Sequence, residues 1–218
     1  PKYKKIILDE LIDLKDDGSF KLNMKYFNYA TGLTMTNEKF SNLFGQKVRD
    51  PKKDLLTQFH MDIASSIQEV IEEIVLKLTT SLCKEIKSEN LCLAGGVALN
   101  CVANGKILKK NIFKNIWIQP AAGDAGGSLG AALAFWYQEL KNKRIPSKKD
   151  EMKGSYLGPS FNNDQIEKTL KSLKANYKKE SEENLISLVA NELKNEKTIG
   201  WFQGKMEFGP RALGARSI

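Results

Sequence analysis

Residues 91–133 constrain the fold of this chain more than any other stretch. They contain LCLAGGVALNCVANGKI (91–107) and IWIQPAAGDAGGSLGAAL (116–133). Each is a short β-rich run, stopped by a glycine-rich turn, that opens into helix-forming sequence. The expected strands lie at 91–94 and 116–119, and the expected helices at 98–110 and 125–140. A strand, a glycine turn and a helix start together aim backbone N–H groups and a positive helix terminus at an anion. Two such turns in succession are expected to hold a nucleotide between them, in an α/β fold. Asp124 is the one carboxylate of the second turn, so it is the candidate for a metal or a ligand hydroxyl. The same small residues also suit tight helix–sheet packing with Asp124 as an ordinary N-cap. Residue types alone leave both readings open.

Composition narrows the class. At 218 residues the chain can bury a sizeable core, as one large domain or two small ones. Charged residues at 28% and hydrophobic residues at 41% describe an ordinary soluble globular protein. The net charge of +8 is spread along the chain. A nucleic-acid partner would want basic residues interleaved with aromatics on one face, and none is seen. An anionic small substrate suits the charge without such a tract. Cys83, Cys92 and Cys101 form no CxxC and read as reduced core residues of a cytoplasmic protein. No apolar run is long enough to span a membrane, and no signal peptide is seen.

Elsewhere the reading is coarser. Residues 5–17 are ambiguous between helix and strand, 20–29 read as strand-like, and Tyr26, Phe27 and Tyr29 read as core aromatics. Asp50-Pro51 is expected to start a long amphipathic helix that ends near Ile86. That helix carries the single histidine, His60, which reads as structural or surface. Residues 142–155 are polar and lysine-rich, the best linker in the chain. A helix capped by Asn162 or Asn163 is expected to about Asn176, another over 182–194, and a buried strand over 198–202. That strand feeds QGKMEFGPRALGARS (203–217), where Lys205, Arg211 and Arg216 stand among glycines. Cations spaced along such a loop suit a phosphate-bearing substrate, and arginine can grip phosphate oxygens bidentately.

The three stretches LCLAGGVALNCVANGKI, IWIQPAAGDAGGSLGAAL and GWFQGKMEFGPRALGARSI together resemble the NodU/CmcH family of O-carbamoyltransferases, in that family's order and spacing. The resemblance runs from about residue 20 onward. Lys205 stands where the family usually has arginine, which keeps the charge and loses the fork. The resemblance implies an actin/hexokinase-like (ASKHA) ATPase lobe over 1–142, a linker over 143–155, and the truncated start of a YrdC-like domain over 156–218. It implies that a YrdC-like domain makes carbamoyl-adenylate from carbamoyl phosphate and ATP. The ATPase-like domain then passes the carbamoyl group to an acceptor hydroxyl, with help from Fe(II) or another divalent metal; Mg2+ accompanies the nucleotide. By motif position, Asp124 is implied as a metal ligand. Gly95, Gly96, Asn100, Gly123, Gly126 and Gly127 are implied around the adenylate. Lys205, Arg211 and Arg216 are implied in the carbamoyl-phosphate and ATP site.

The family's other metal ligands are a histidine pair, and this chain has no HxxxH. The chain is therefore expected to be a fragment, inactive by itself, of a cytoplasmic enzyme. Its partners are expected to be small molecules, with neither nucleic acid nor membrane, and a homodimer is allowed. Two other classes stay open: an ATP-dependent kinase of the hexokinase–actin type, against which the GPRALG loop counts, and a non-catalytic nucleotide-binding module.

Overall fold

The structure is a computed structural model that describes residues 1–218. It is mixed α/β and divides into two compact units. The first holds residues 1–92 and 100–117, and the second holds 93–99 and 118–218.

The first unit is built along one helix. A helical turn α1 (Lys4–Ile6) widens into a π-turn and gives way to β1 (Ile12–Leu14), which pairs antiparallel with β2 (Phe20–Leu22). A short helix α2 (Glu38–Phe44) follows, capped by the Asn37 side chain. The long helix α3 (Gln58–Ile86) ends where its periodicity predicts. Ile7, Leu11, Ile12, Tyr26, Val70 and Ile74 make the core between these elements. Burying such side chains stabilises by about 1.5–3 kcal/mol each. Charge fixes the register of α1 on α3. Lys4 Nζ lies 2.8 Å from Glu69 and 3.0 Å from Glu73, and the Tyr3 N–H donates to the buried Ser66 Oγ at 3.0 Å. Tyr26 is core as expected and donates its hydroxyl to Glu10, whereas Tyr29 is exposed.

The start of α3 differs from the sequence reading. Asp50 does cap, but it caps one isolated turn. Its carboxylate accepts from the Lys52 N–H at 2.9 Å, while its own N–H donates to the Asp54 carboxylate at 2.8 Å. The helix is capped seven residues later at Thr57, where His60 completes a capping box. His60 Nδ1 accepts from the Thr57 N–H at 3.0 Å, so the histidine is structural. Leu55 and Leu56, which fitted the helical period, are exposed in the connection.

After α3 the chain forms β3 (Asn90–Leu93), helix α4 (Cys101–Lys110) and β4 (Asn115–Ile118), with β3 and β4 paired. Their hydrogen bonds run from Lys114 N to Glu89 O and from Gln119 N to Leu93 O. They ascend both strands together, as in a parallel pair. α4 buries Ala103 and Ile107 toward α3. All three cysteines are free, but the core assignment is corrected: Cys92 and Cys101 are exposed and Cys83 is half-buried. Cys92 faces away from the side on which its neighbour Leu91 is buried.

In the second unit, α5 (Asp124–Ala134) continues as a π-turn over Phe135–Glu139. Next come α6 (Asn163–Ser172), capped by Asn162 with Gln165 completing a capping box, and α7 (Glu182–Lys194). β5 (Trp201–Phe202) and β6 (Arg216–Ser217) pair antiparallel. The expected buried strand over 198–202 is corrected: it has two residues, with Trp201 half-buried and Phe202 exposed, because nothing in this unit covers it with a large apolar core. The predicted linker 143–155 lies inside this unit. Its buried side chains are small or polar: Ala98, Ala121, Ala122, Ala215, Ser155 and Glu207.

Two glycines of the first unit separate backbone strain from space. Gly18 (φ +90°) and Gly45 (φ +68°) both adopt the left-handed region, but a Cβ at Gly18 would strike the Leu78 backbone while one at Gly45 meets nothing. Gly45→Ala is expected to cost about 1 kcal/mol and Gly18→Ala at least twice that, as measured by urea unfolding.

Candidate functional site

The second unit brings the three glycine-rich motifs together. Gly95 (φ +94°) donates its N–H to Ala122 O at 2.8 Å, joining the first glycine turn to the second. Gly209 (φ +132°) lets the third motif reach the same place. A Cβ there would lie 3.0 Å from Pro120 O and 3.2 Å from Ala121 Cα. Arg211 Nη2 donates to Leu99 O at 3.3 Å, at the end of the first turn. Ala121 is fully buried at this junction.

The third motif is a loop closed by β5 and β6 and folded around one carboxylate. The Glu207 side chain is completely buried. It accepts from the N–H groups of Leu213 at 2.9 Å, Ala215 at 2.8 Å and Arg216 at 3.2 Å, and from Arg216 Nε at 2.8 Å. Arg216 Nη2 also donates to the Glu207 carbonyl at 2.8 Å. Burial pushes the Glu207 carboxyl up, but the Arg216 guanidinium and the backbone donors outweigh it and hold it down at about 2.

The segment after residue 154 straps the loop from outside. Ser155 Oγ donates to Phe208 O at 2.5 Å, and Phe208 N returns a bond to Ser155 O at 2.7 Å. Gly158 N reaches Met206 O at 2.9 Å, and Met206 N reaches Pro159 O at 3.1 Å. Tyr156 donates its hydroxyl to Leu213 O at 2.5 Å. Between strap and loop lies an open cleft of about 580 Å³, lined by Tyr156, Gln203, Gly204, Lys205 and residues 213–215.

The predicted residues divide as follows. Lys205 is exposed and lines the cleft. Arg216 is half-buried and committed to Glu207, and Arg211 is exposed beside the first turn. Gly95, Gly96, Gly123, Gly126 and Gly127 all belong to the second unit. The Gly95 N–H is already taken by Ala122. Gly126 is small because a Cβ would collide with Ala121 O, whereas Gly96, Gly123 and Gly127 face open space. The packing reading therefore explains Gly126, while the others remain open to a ligand. Asn100 belongs to the first unit, where it caps α4 through the Ala103 N–H at 3.1 Å and exchanges two amide hydrogen bonds with Gln68. Asp124 is exposed at the first residue of α5. No group of three His, Cys, Asp or Glu side chains gathers around a metal position, so this chain's residues do not by themselves fit a metal centre.

Sequence reasoning missed Glu207, Ser155 and Tyr156. The available signal was a lone acid among three cations, flanked by Met206 and Phe208.

Residues 1–133 match the carbamoyltransferase N-terminus and residues 190–218 the carbamoyltransferase C-terminus. The chain belongs to the carbamoyltransferase family. An uncharacterized protein of Synechocystis sp. is 60% identical over all of this chain and 36% of its own length. Nodulation protein NolO of Bradyrhizobium diazoefficiens is 42% identical over 74% of this chain and 29% of its own length. Nodulation protein NolNO of Sinorhizobium fredii is 40% identical over 74% of this chain and 23% of its own length. The chain thus spans about a third or less of these relatives. No helix of this carbamoyltransferase-family chain is long and apolar enough to cross a membrane.

The Glu207 network carries a pH dependence. The folded carboxyl sits at about 2 against an ordinary 4.5, so its stabilisation is complete above about 4.5 and is lost as pH falls toward 2. Acid unfolding followed by tryptophan fluorescence should show a shallower limb across this window in Glu207→Gln than in the wild type.

Proposed function

We propose that this protein takes part in O-carbamoyl transfer. Water hydrolyses carbamoyl phosphate to carbamate and inorganic phosphate, and a carbamate oxygen attacks the α-phosphorus of ATP. Pyrophosphate leaves, and carbamoyl-adenylate is formed. A hydroxyl of a sugar or natural-product acceptor then attacks the carbamoyl carbon and expels AMP. The observation that carries the reading is the convergence in the second unit. Glycine turns from the N-terminal family match meet the loop of the C-terminal match there.

On this reading Lys205 is the cleft cation that meets the transferred group's phosphate, as a point charge rather than a fork. Arg211, beside the first glycine turn, offers a second cation to the anionic substrates, and Arg216 gives the loop its shape. The open glycines, Gly96, Gly123 and Gly127, leave room for the adenylate. Asp124 would supply a single ligand to a divalent metal, so the reading rests on the loop and the turns.

The test uses a polypeptide of the relatives' length that carries this chain. Incubation with ATP and carbamoyl phosphate, without acceptor, should release pyrophosphate only when carbamoyl phosphate is present. Phosphorylation of an acceptor without need of carbamoyl phosphate would instead establish a kinase. A charged hydrogen bond contributes about 1.5–3 kcal/mol, so Lys205→Ala should raise KM for carbamoyl phosphate by roughly 10- to 100-fold, and Lys205→Arg should restore most of it.

A further inference from the structure

We infer that Glu207 is a positioning residue for the Lys205 cleft, acting through Arg216 and the 213–215 backbone; the inference rests on the carbamoyl-phosphate reading of that cleft. Three observations carry it.

Apart from the hydrogen bonds of the strap and of β5 and β6, the loop has little to hold it. Gly204, Gly209 and Gly214 all adopt positive φ, at +63°, +132° and +102°. Of its side chains only Glu207 and Ala215 are buried. A segment so rich in glycine gives up much conformational entropy on ordering and gains little from burial. A carboxylate with four donors takes the place of a packed core.

The groups that Glu207 holds are the walls of the cleft. Leu213, Gly214 and Ala215 line it, and the carboxylate takes the N–H groups of the first and third. Leu213 is clamped on both sides, its N–H by Glu207 and its carbonyl by the Tyr156 hydroxyl, itself a lining residue. Gly214 is fixed between them with open space where a side chain would stand.

The network also decides what Arg216 can do. Its Nε and Nη2 are bound to Glu207, so this face of the guanidinium is turned inward and is not offered to a ligand. The cation that lines the cleft is Lys205. Removing the Glu207 charge breaks its ion pair with Arg216 Nε and weakens its hold on the Leu213 and Ala215 N–H groups.

The experiment is a carbamoyl phosphate titration of the 15N-labelled chain, followed at the amide signals of Gly204, Lys205, Leu213 and Gly214. Glu207→Gln keeps an oxygen for the Leu213 and Ala215 N–H groups but presents an NH2 to Arg216 Nε. Ser155→Ala loosens the same loop from the strap side and serves as the control for stability. In the wild type the four signals should shift saturably. Glu207→Gln should weaken binding at least tenfold at a temperature where it is fully folded, while Ser155→Ala stays within threefold. Equal binding by Glu207→Gln and wild type would overturn the inference and leave the cleft reading intact. Equal losses in the two variants would also overturn it, since the loop would then respond to any loosening. No shift in the wild type would overturn the carbamoyl-phosphate reading itself, and the inference with it.

Discussion

The buried Glu207 carboxylate, with its four hydrogen-bond donors, is the interaction on which the second unit depends. That unit buries alanines rather than large apolar side chains, so burial alone cannot hold a glycine-rich loop in one shape. An ionised group in such a place is tolerated only when hydrogen-bond donors and a counter-charge meet it. Here the backbone of 213–216 and the Arg216 guanidinium supply both, and the loop's path follows from that. The fixed loop in turn lets Gly209 close on Pro120–Ala121 and brings Arg211 to Leu99.

The first unit is organised in the ordinary way. A long amphipathic helix buries one face, α4 packs on it, and the polar groups inside are paired. Glu72, nearly buried on α3, is bonded to Gln68 and to Lys106 of α4, with Lys106 and Gln68 drawing its carboxyl below the usual range against the opposing push of burial. Gln68 passes the network on to Asn100 at the cap of α4. The long helix and the start of the helix after the first glycine turn are thereby held in one register.

The elements with strong periodicity were legible in the sequence. The end of α3 at Ile86, the bounds of α7 and the Asn162 cap of α6 follow from apolar spacing and capping chemistry. The start of α3 was not, because an Asp–Pro cap is the same whether the turn it starts continues or is closed off by Asp54. For the site, the three motifs and their cations were visible along the chain. Their meeting was not, since it depends on a glycine at 209 fitting against a backbone far away in sequence. Glu207 escaped notice for a related reason. A carboxylate beside three cations reads as one more loop charge until its backbone partners are known.

The measurement that tests the central claim most directly is amide hydrogen exchange in the wild-type chain at single-residue resolution. The N–H groups of Leu213 and Ala215, bonded to Glu207, and of Gly95, bonded to Ala122, should be protected together. Exchange of Leu213 and Ala215 at unstructured-chain rates, with Gly95 still protected, would contradict the account. It would mean that the loop is not folded around its buried carboxylate.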